Sequence, residues 1–306
     1  MSTAARISVG IATRARPESL VRCVASLACL GELLDEVIVV DDGSPVPVEP
    51  ALRGGLSNAM RAKVRVIRFD PQQGTAAART TCVRAARSPW VLNLDDDTEM
   101  LSADAVQTAV RTIGADPSIF AIAFAQATAD GDPLPPAAQP GRADRPCYVT
   151  CYIGFAHLVR RDAFLALGGY RAALIIYGEE REICLRALDA GWHVVYLPDA
   201  RIAHLADPAG RDMRRYLHLT VRNGVLSSIY NDPLPLLMVR VPMRLAAYFR
   251  MRSGWKVQDP GGFLTILGWI WRDLGGALKQ RRAVRWATIG RWRRLNREML
   301  LYRGPA

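Results

Sequence analysis

Two short apolar runs in this chain each stop at a block of aspartates, and this pattern restricts the fold more than any other feature. Glu36-Val37-Ile38-Val39-Val40 runs into Asp41-Asp42-Gly43-Ser44-Pro45, and Trp90-Val91-Leu92-Asn93-Leu94 runs into Asp95-Asp96-Asp97. A short β-branched run without alternation suits a strand buried on both faces, as in a parallel sheet. Residues 7–12 and 64–69 read as two more strands. Pro17 and Glu18 open a helical pattern through Leu20, Val21, Val24 and Leu27, and the Ala-rich stretch 75–86 reads as another helix. The alternation predicts an α/β chain: a Rossmann-like, mostly parallel sheet with helices on both faces.

Further along, residues 163–169 read as a short helix ending in glycine, and 182–190 as a second, closed by Gly191. Residues 194–197 read as a strand stopped by Pro198, and the Pro/Gly/Ala-rich segment 130–146 as a long loop. The six cysteines form no paired CxxC knuckles, which predicts reduced thiols. The N-terminal residues carry no secretion-signal pattern and no run of about 18 apolar residues occurs, so the expected location is the cytoplasm.

Charge divides the chain in two. Residues 209–306 carry 19 Lys and Arg against 5 Asp and Glu, while the remainder is nearly neutral. The expected organisation is a catalytic domain over 1–208 and a basic, amphipathic α-helical extension over 209–306. In that extension Phe263, Ile266, Leu267, Ile270 and Leu274 recur at helical spacing, as do Trp286, Ile289, Trp292 and Leu295 among arginines. Five of the seven tryptophans lie there, which suits an anionic membrane surface at the inner face of the cell membrane. A helical cap on the catalytic domain and a homo-oligomer interface are the competing readings. Residues 234–249 form an apolar stretch that Pro242 is expected to interrupt.

Ligands of open α/β sheets bind beyond the carboxyl ends of the strands, where three acidic clusters fall. These are Asp41-Asp42, Asp95-Asp96-Asp97, and Glu179-Glu180 before a helix. Such acids repel one another unless a cation or donor groups satisfy them. Asp95 and Asp97 have the D-x-D form, and hard carboxylate oxygens suit Mg2+ or Mn2+, which in turn bind diphosphates.

Six motifs in order carry a family resemblance over roughly residues 6–205. Thr13 to Pro17 resembles an opening T-Y-N-R-P turn, and Val40-Asp41-Asp42-Gly43-Ser44 matches V-D-D-G-S. Residues 74–80 resemble G-x-x-x-A-R-N, and residues 94–97 match a metal motif. Gly168-Gly169-Tyr170 and Gly178-Glu179-Glu180 resemble an acceptor-side segment with its E-D-x-D motif, and His204 follows the last strand. The chain thus resembles a family 2 glycosyltransferase of the GT-A fold. Departures fall at Arg14, Ala15 and Thr80, near the nucleotide, and in Glu179-Glu180-Arg181-Glu182.

The resemblance implies inverting, metal-dependent transfer of a hexosyl or deoxyhexosyl group from a UDP-, dTDP- or GDP-linked donor. The acceptor hydroxyl would belong to a glycan, lipid-linked or of the cell envelope. It implies Thr13, Asp42, Arg79, Asp95 and Asp96 at the donor, and Asp97, Asp95 and His204 at the metal. Gly169, Tyr170 and Glu179 fall on the acceptor side, with Glu180 as general base and Asp41 holding the turn. A sugar nucleotidyltransferase is the enzymatic alternative, but it favours a Gly-rich phosphate loop near the first strand, where this chain has Thr13-Arg14-Ala15-Arg16. A catalytically inactive scaffold and a basic nucleic-acid binder are others; nucleic acid is not an expected partner, since no finger or RNP motif occurs.

Overall fold

The computed structural model describes residues 6–141, 144–205 and 212–305. The expected boundary at 208/209 lies outside the described residues. Strands β1 (Ile7–Thr13), β2 (Leu34–Asp42), β3 (Val64–Phe69) and β4 (Trp90–Asp95) pair in parallel in the order β3-β2-β1-β4. The helices between them are α1 (Pro17–Ser26), α2 (Glu49–Gly55), α3 (Asn58–Lys63) and α4 (Thr75–Ala85). Every residue of β1 but one, and of β2 but one, is buried, as the β-branched composition requires.

The sheet continues through β5 (Thr98–Glu99), β6 (Ile119–Ala127), β7 (Cys147–Val149), β8 (Ala156–Arg160) and β9 (His193–His204), with α5 (Asp104–Ala115) and α6 (Arg161–Ala166) packed on it. Its full order is β3-β2-β1-β4-β8-β6-β9-β5, with β7 also on β9. β6 and β9 pair in parallel, whereas β8 runs antiparallel to both β4 and β6. β6, wholly buried, is not among the strands the sequence reading picks out. The strand of residues 194–197 does not stop at Pro198. Leu197 pairs with Phe124 and Arg201 with Ala125, so the strand loops out residues 198–200 and resumes. Proline cannot donate to a ladder, and a bulge absorbs it.

Helix α7 is Glu179–Asp189, starting three residues before the expected 182, so Glu179 and Glu180 form its first turn rather than precede it. Acids at that end complement the helix dipole. The remaining helices are α8 (Met213–Asn231), α9 (Leu234–Gly254), α10 (Gly262–Lys279) and α11 (Trp286–Arg297). α8 is the core of this part: Leu217, Val221, Val225, Leu226 and Tyr230 are buried between α9 and α10. α9 passes through Pro242 without a break. Met238, whose carbonyl the proline leaves unpaired, is on the exposed side, where hydration removes most of the penalty. Within the extension, α11 buries Ile289 and Trp292 in the core cluster that also contains residues of α4, β6 and α7.

Candidate active site

One large cleft, about 1280 Å³, opens at the carboxyl ends of β1, β2 and β4. That exceeds the roughly 300–1,000 Å³ typical of a single ligand pocket and accommodates two substrates. One end is lined by Thr13, Asp42, Asp95, Asp96, Asp97 and His204. Glu179 and Glu180 lie on another wall with Arg79 beneath them.

Asp41 is spent on its turn. It accepts from the Ser44 amide (2.9 Å), the Val48 amide (3.3 Å) and Arg68 (2.6 Å). Burial works against its charge, yet these donors hold its carboxyl below the usual range. Asp42 accepts the amides of Gln73 (2.7 Å) and Gly74 (3.0 Å), so it joins the β2 turn to the start of α4. Asp96 accepts from the Thr13 hydroxyl (2.6 Å) and Arg16 (3.3 Å); burial pushes its carboxyl up to about 6.

Asp95, Asp97 and His204 each present a ligand atom within 4.8 Å of the other two. This is the metal set expected from the sequence. The residues fit a divalent cation on an independent observation: Oδ1 of Asp97, buried and 3.6 Å from Nε2 of His204, has no hydrogen-bond partner among the described residues. His204 is aimed by Gln126 of β6, a residue sequence reasoning missed. Gln126 gives its amide Nε2 to the Ala138 carbonyl, so its Oε1 accepts from Nδ1 of His204. The tautomer this imposes turns the bare Nε2 of His204 toward the two aspartates. Phe155 stacks on the same ring at 5.0 Å. No periodicity links residues 126 and 204; only the β6–β9 pairing does.

Arg79 is buried, and its guanidinium is committed to carboxylates rather than open to a nucleotide. It reaches Asp95 (2.5 Å), Glu180 (2.9 Å) and Glu179 (3.2 Å), and donates to the Gly154 carbonyl (3.0 Å). It thus ties Asp95 to Glu179 and Glu180 across the cleft floor's three elements α4, β4 and α7. A side chain at Gly154 would begin 2.3 Å from Oε1 of Glu180, so only glycine admits this contact. Among the described residues, Oε1 is the only bonded oxygen of Glu180. Burial and the Glu180 charge push the Glu179 carboxyl up to about 8. The expected repulsion between the pair therefore acts on Glu179, the more deeply enclosed partner.

The structure departs from the sequence reading at Gly169 and Tyr170, which lie behind the cleft rather than on its acceptor side. Tyr170 is buried, bonded to Tyr152 (2.8 Å) and to His157 (2.9 Å), and Gly169 packs on Thr80. The wall of the cleft beside Glu179 and Glu180 is built instead by residues sequence reasoning did not single out. Ile175 centres a tight γ-turn with φ 61° and ψ −69°, closed by the Ile176 amide on the Leu174 carbonyl (2.6 Å). Such a conformation is strained and persists only when its surroundings impose it. Asn223 of α8 imposes it, giving its amide to the carbonyls of Leu174 (2.7 Å), Ile176 (2.8 Å) and Tyr177 (2.8 Å). The extension thereby holds the loop that delivers Glu179 and Glu180.

A sheet of this order, with a carboxylate–histidine cluster at its switch point and acids facing it, defines a GT-A glycosyltransferase. The chain belongs to glycosyl transferase family 2, whose profile matches residues 8–168. It is 29% identical over 210 residues to the pre-mycofactocin glycosyltransferase of Mycobacterium tuberculosis, covering 65% of this chain. It spans 42% of that relative's length. Solved structures share the fold at low identity. One is the mannosyltransferase PcManGT from Pyrobaculum calidifontis with GDP-Man and Mn2+ (TM-score 0.58, 15% identity, 95% of this chain and 84% of that one). Another is GalNAc-T7 with UDP, GalNAc and Mn2+ (TM-score 0.61, 18% identity, 90% and 58%). A third is residues 1–349 of S. aureus TarS (TM-score 0.59, 15% identity, 87% and 80%).

Proposed function

We propose that the chain transfers a sugar from a nucleotide-sugar donor to an acceptor hydroxyl, with inversion and with a divalent cation. The observation that carries this reading is the Asp95–Asp97–His204 cluster, with its partnerless Asp97 oxygen, lining the same cleft as Glu180. Asp95, Asp97 and His204 hold Mg2+ or Mn2+, which would neutralise the diphosphate leaving group. Thr13, Asp42 and Asp96 border the nucleotide. Glu180 takes the proton from the acceptor hydroxyl as it attacks, while Arg79 fixes the carboxylate by one oxygen. Binding and slow hydrolysis of UDP-, dTDP- and GDP-sugars, each with and without Mn2+, tests the assignment. One donor should bind in a metal-dependent way, and Asp97→Asn should weaken that binding by about tenfold or more. Equal donor binding with and without metal sinks the metal role, and no binding of any donor sinks the transferase reading.

The acceptor in this reading is lipid-linked or part of an envelope glycan, met at the inner membrane face by the helical extension that follows the catalytic domain near residue 208. Among the described residues no helix is long and apolar enough to cross a membrane. α9 instead turns large apolar side chains outward: Leu234, Met238, Val239, Met243 and Phe249 are all more than half exposed. Leu264, Trp271 and Leu278 repeat at seven-residue spacing on α10, equally exposed. With the surrounding excess of arginine, the partner that matches is an anionic bilayer. Sedimentation with vesicles containing anionic phospholipid should carry the chain down. Met238→Asp combined with Phe249→Asp should cut that partition at least about tenfold, since each side chain forfeits roughly 1.5–3 kcal/mol of burial. Unchanged partition of the double variant refutes the face as the anchor.

A further inference from the structure

The wall of the cleft supplied by α7 and α9 contains arginines that the reaction as described does not use. Arg181 follows Glu180 on α7, and Arg244, Ala247, Arg250 and Met251 recur along one side of α9, all lining the cleft. Several enclosed arginines of the chain are paired with acids: Arg79 with three acidic side chains, Arg222 with Asp273, and Arg171 and Arg186 with Glu182. Arg181 and Arg250 stand exposed on the cleft wall, and Arg244 is part-buried there. Among the described residues, none has a carboxylate within ion-pair distance.

Arg244 is the most constrained of the three. Asp232, the acid that supports its charge, is already engaged by Arg240 at 2.6 Å. Burial, with Arg181 and Arg240 as like-charged neighbours, brings its guanidinium down to about 10. Its Nη1 lies against Gly224 of α8, where an added Cβ would stand only 2.8 Å away. Arg181 is held over the ring of Trp292 of α11 at 5.4 Å. Keeping the part-buried Arg244 beside the like charge of Arg181 costs free energy that a bound polyanion would recover, because guanidinium forks match phosphate oxygens.

We infer that Arg181, Arg244 and Arg250 form a binding site for a phosphate or diphosphate group on the acceptor. Assigning the anion to the acceptor rests on the transferase reading; the anion site itself does not. The acceptor would then be a phosphate-linked sugar or alcohol, its hydroxyl brought to Glu180 by the arginine beside it in sequence. The exposed apolar face of α9 lies on the same helix as two of the three arginines, so a lipid phosphate could enter from the bilayer side.

Titration of inorganic pyrophosphate into the full chain in EDTA tests this, because chelation removes cation-mediated binding at Asp95, Asp97 and His204. Wild type and Asp97→Asn should bind alike, and Arg244→Gln should lose about tenfold in affinity. Arg250→Gln, at an exposed position that does not endanger folding, should lose affinity in the same direction. Unchanged affinity in both arginine variants overturns the site. A loss in Asp97→Asn as large as in Arg244→Gln places the anion at the aspartate end and also overturns it. Displacing bound pyrophosphate with short-chain phosphatidic acid and with glycerol phosphate separates the sources. Stronger displacement by the lipid form supports a lipid-borne group, and equal displacement supports a soluble phosphate. If pyrophosphate binds in this pattern while no nucleotide sugar binds, the anion site stands and the transferase reading falls.

Discussion

Replacing Glu180 by glutamine is expected to lower donor hydrolysis and transfer by about 10²–10⁴-fold, the usual contribution of a positioned general base. The amide keeps the size of the carboxylate and can still accept from Arg79 through its oxygen, so the 2.9 Å contact and the cleft wall survive. What disappears is the capacity to take a proton. Donor binding should therefore stay near wild type, since the residues bordering the nucleotide are untouched. Glu179→Gln serves as the comparison. Its carboxyl is pushed up to about 8 by burial and the neighbouring charge, so the amide disturbs its charge less than in an ordinary Glu→Gln change. The smaller loss should fall on Glu179→Gln. A Glu180→Gln enzyme that turns over at near-wild-type rate eliminates Glu180 as the base. A larger loss in the Glu179 variant moves the role one residue back.

The second large effect concerns stability. Glu182 is fully buried, and its oxygens collect Arg171 (2.7 Å), Arg186 (2.6 Å) and Asn231 (3.1 Å). Arg186 continues to the carbonyls of Leu167 and Gly169, and Arg171 lies over the Tyr230 ring at 4.1 Å. One carboxylate therefore joins α7, the turn after α6 and the end of α8. Glu182→Ala leaves two guanidinium groups enclosed without their counter-charge, which costs about 3–5 kcal/mol. Urea unfolding followed by circular dichroism measures this; a loss below about 1 kcal/mol would refute the hub.

Glu182 also sets a pH dependence. Burial opposes its charge, but Arg186 and Arg171 more than offset this and hold its pKa below the unfolded value. A carboxyl depressed in the folded state stabilises above its unfolded pKa, roughly 4.3, and the contribution is lost as pH falls through the folded value. The gap in stability between wild type and Glu182→Ala should narrow as the pH drops below about 4.

Much of the aspartate end of the cleft was legible in the sequence. Asp41, Asp42 and Asp95–Asp97 sit where buried strands stop, and the register of β1 with β2 and β4 brings those stops together. His204 joins the aspartates as the resemblance implied. The wall that carries Glu179 and Glu180 was much less legible. Tyr170 reads as a motif residue, yet its hydroxyl faces Tyr152 and His157 in the core. Glu182 reads as an ordinary acid in an acidic helix start, and only the arrival of Arg171, Arg186 and Asn231 makes it a hub. The basic extension reads as a surface element, but Leu217, Val221, Leu226 and Tyr230 bury α8 between α9 and α10.

By itself the sequence determined the strands, the punctuation of each by acids, and hence one end of a cleft. Those features are local: apolar runs, turn residues and carboxylates adjacent in the chain carry them within a few positions. Only the tertiary structure decided that Gln126 aims His204, that Asn223 holds the strained Ile175 turn, and that Arg181, Arg244 and Arg250 line the same cleft as the aspartates. Each of these joins elements distant along the chain, and hydrogen bonds or charges that meet through sheet pairing and helix packing leave no period in the sequence to read.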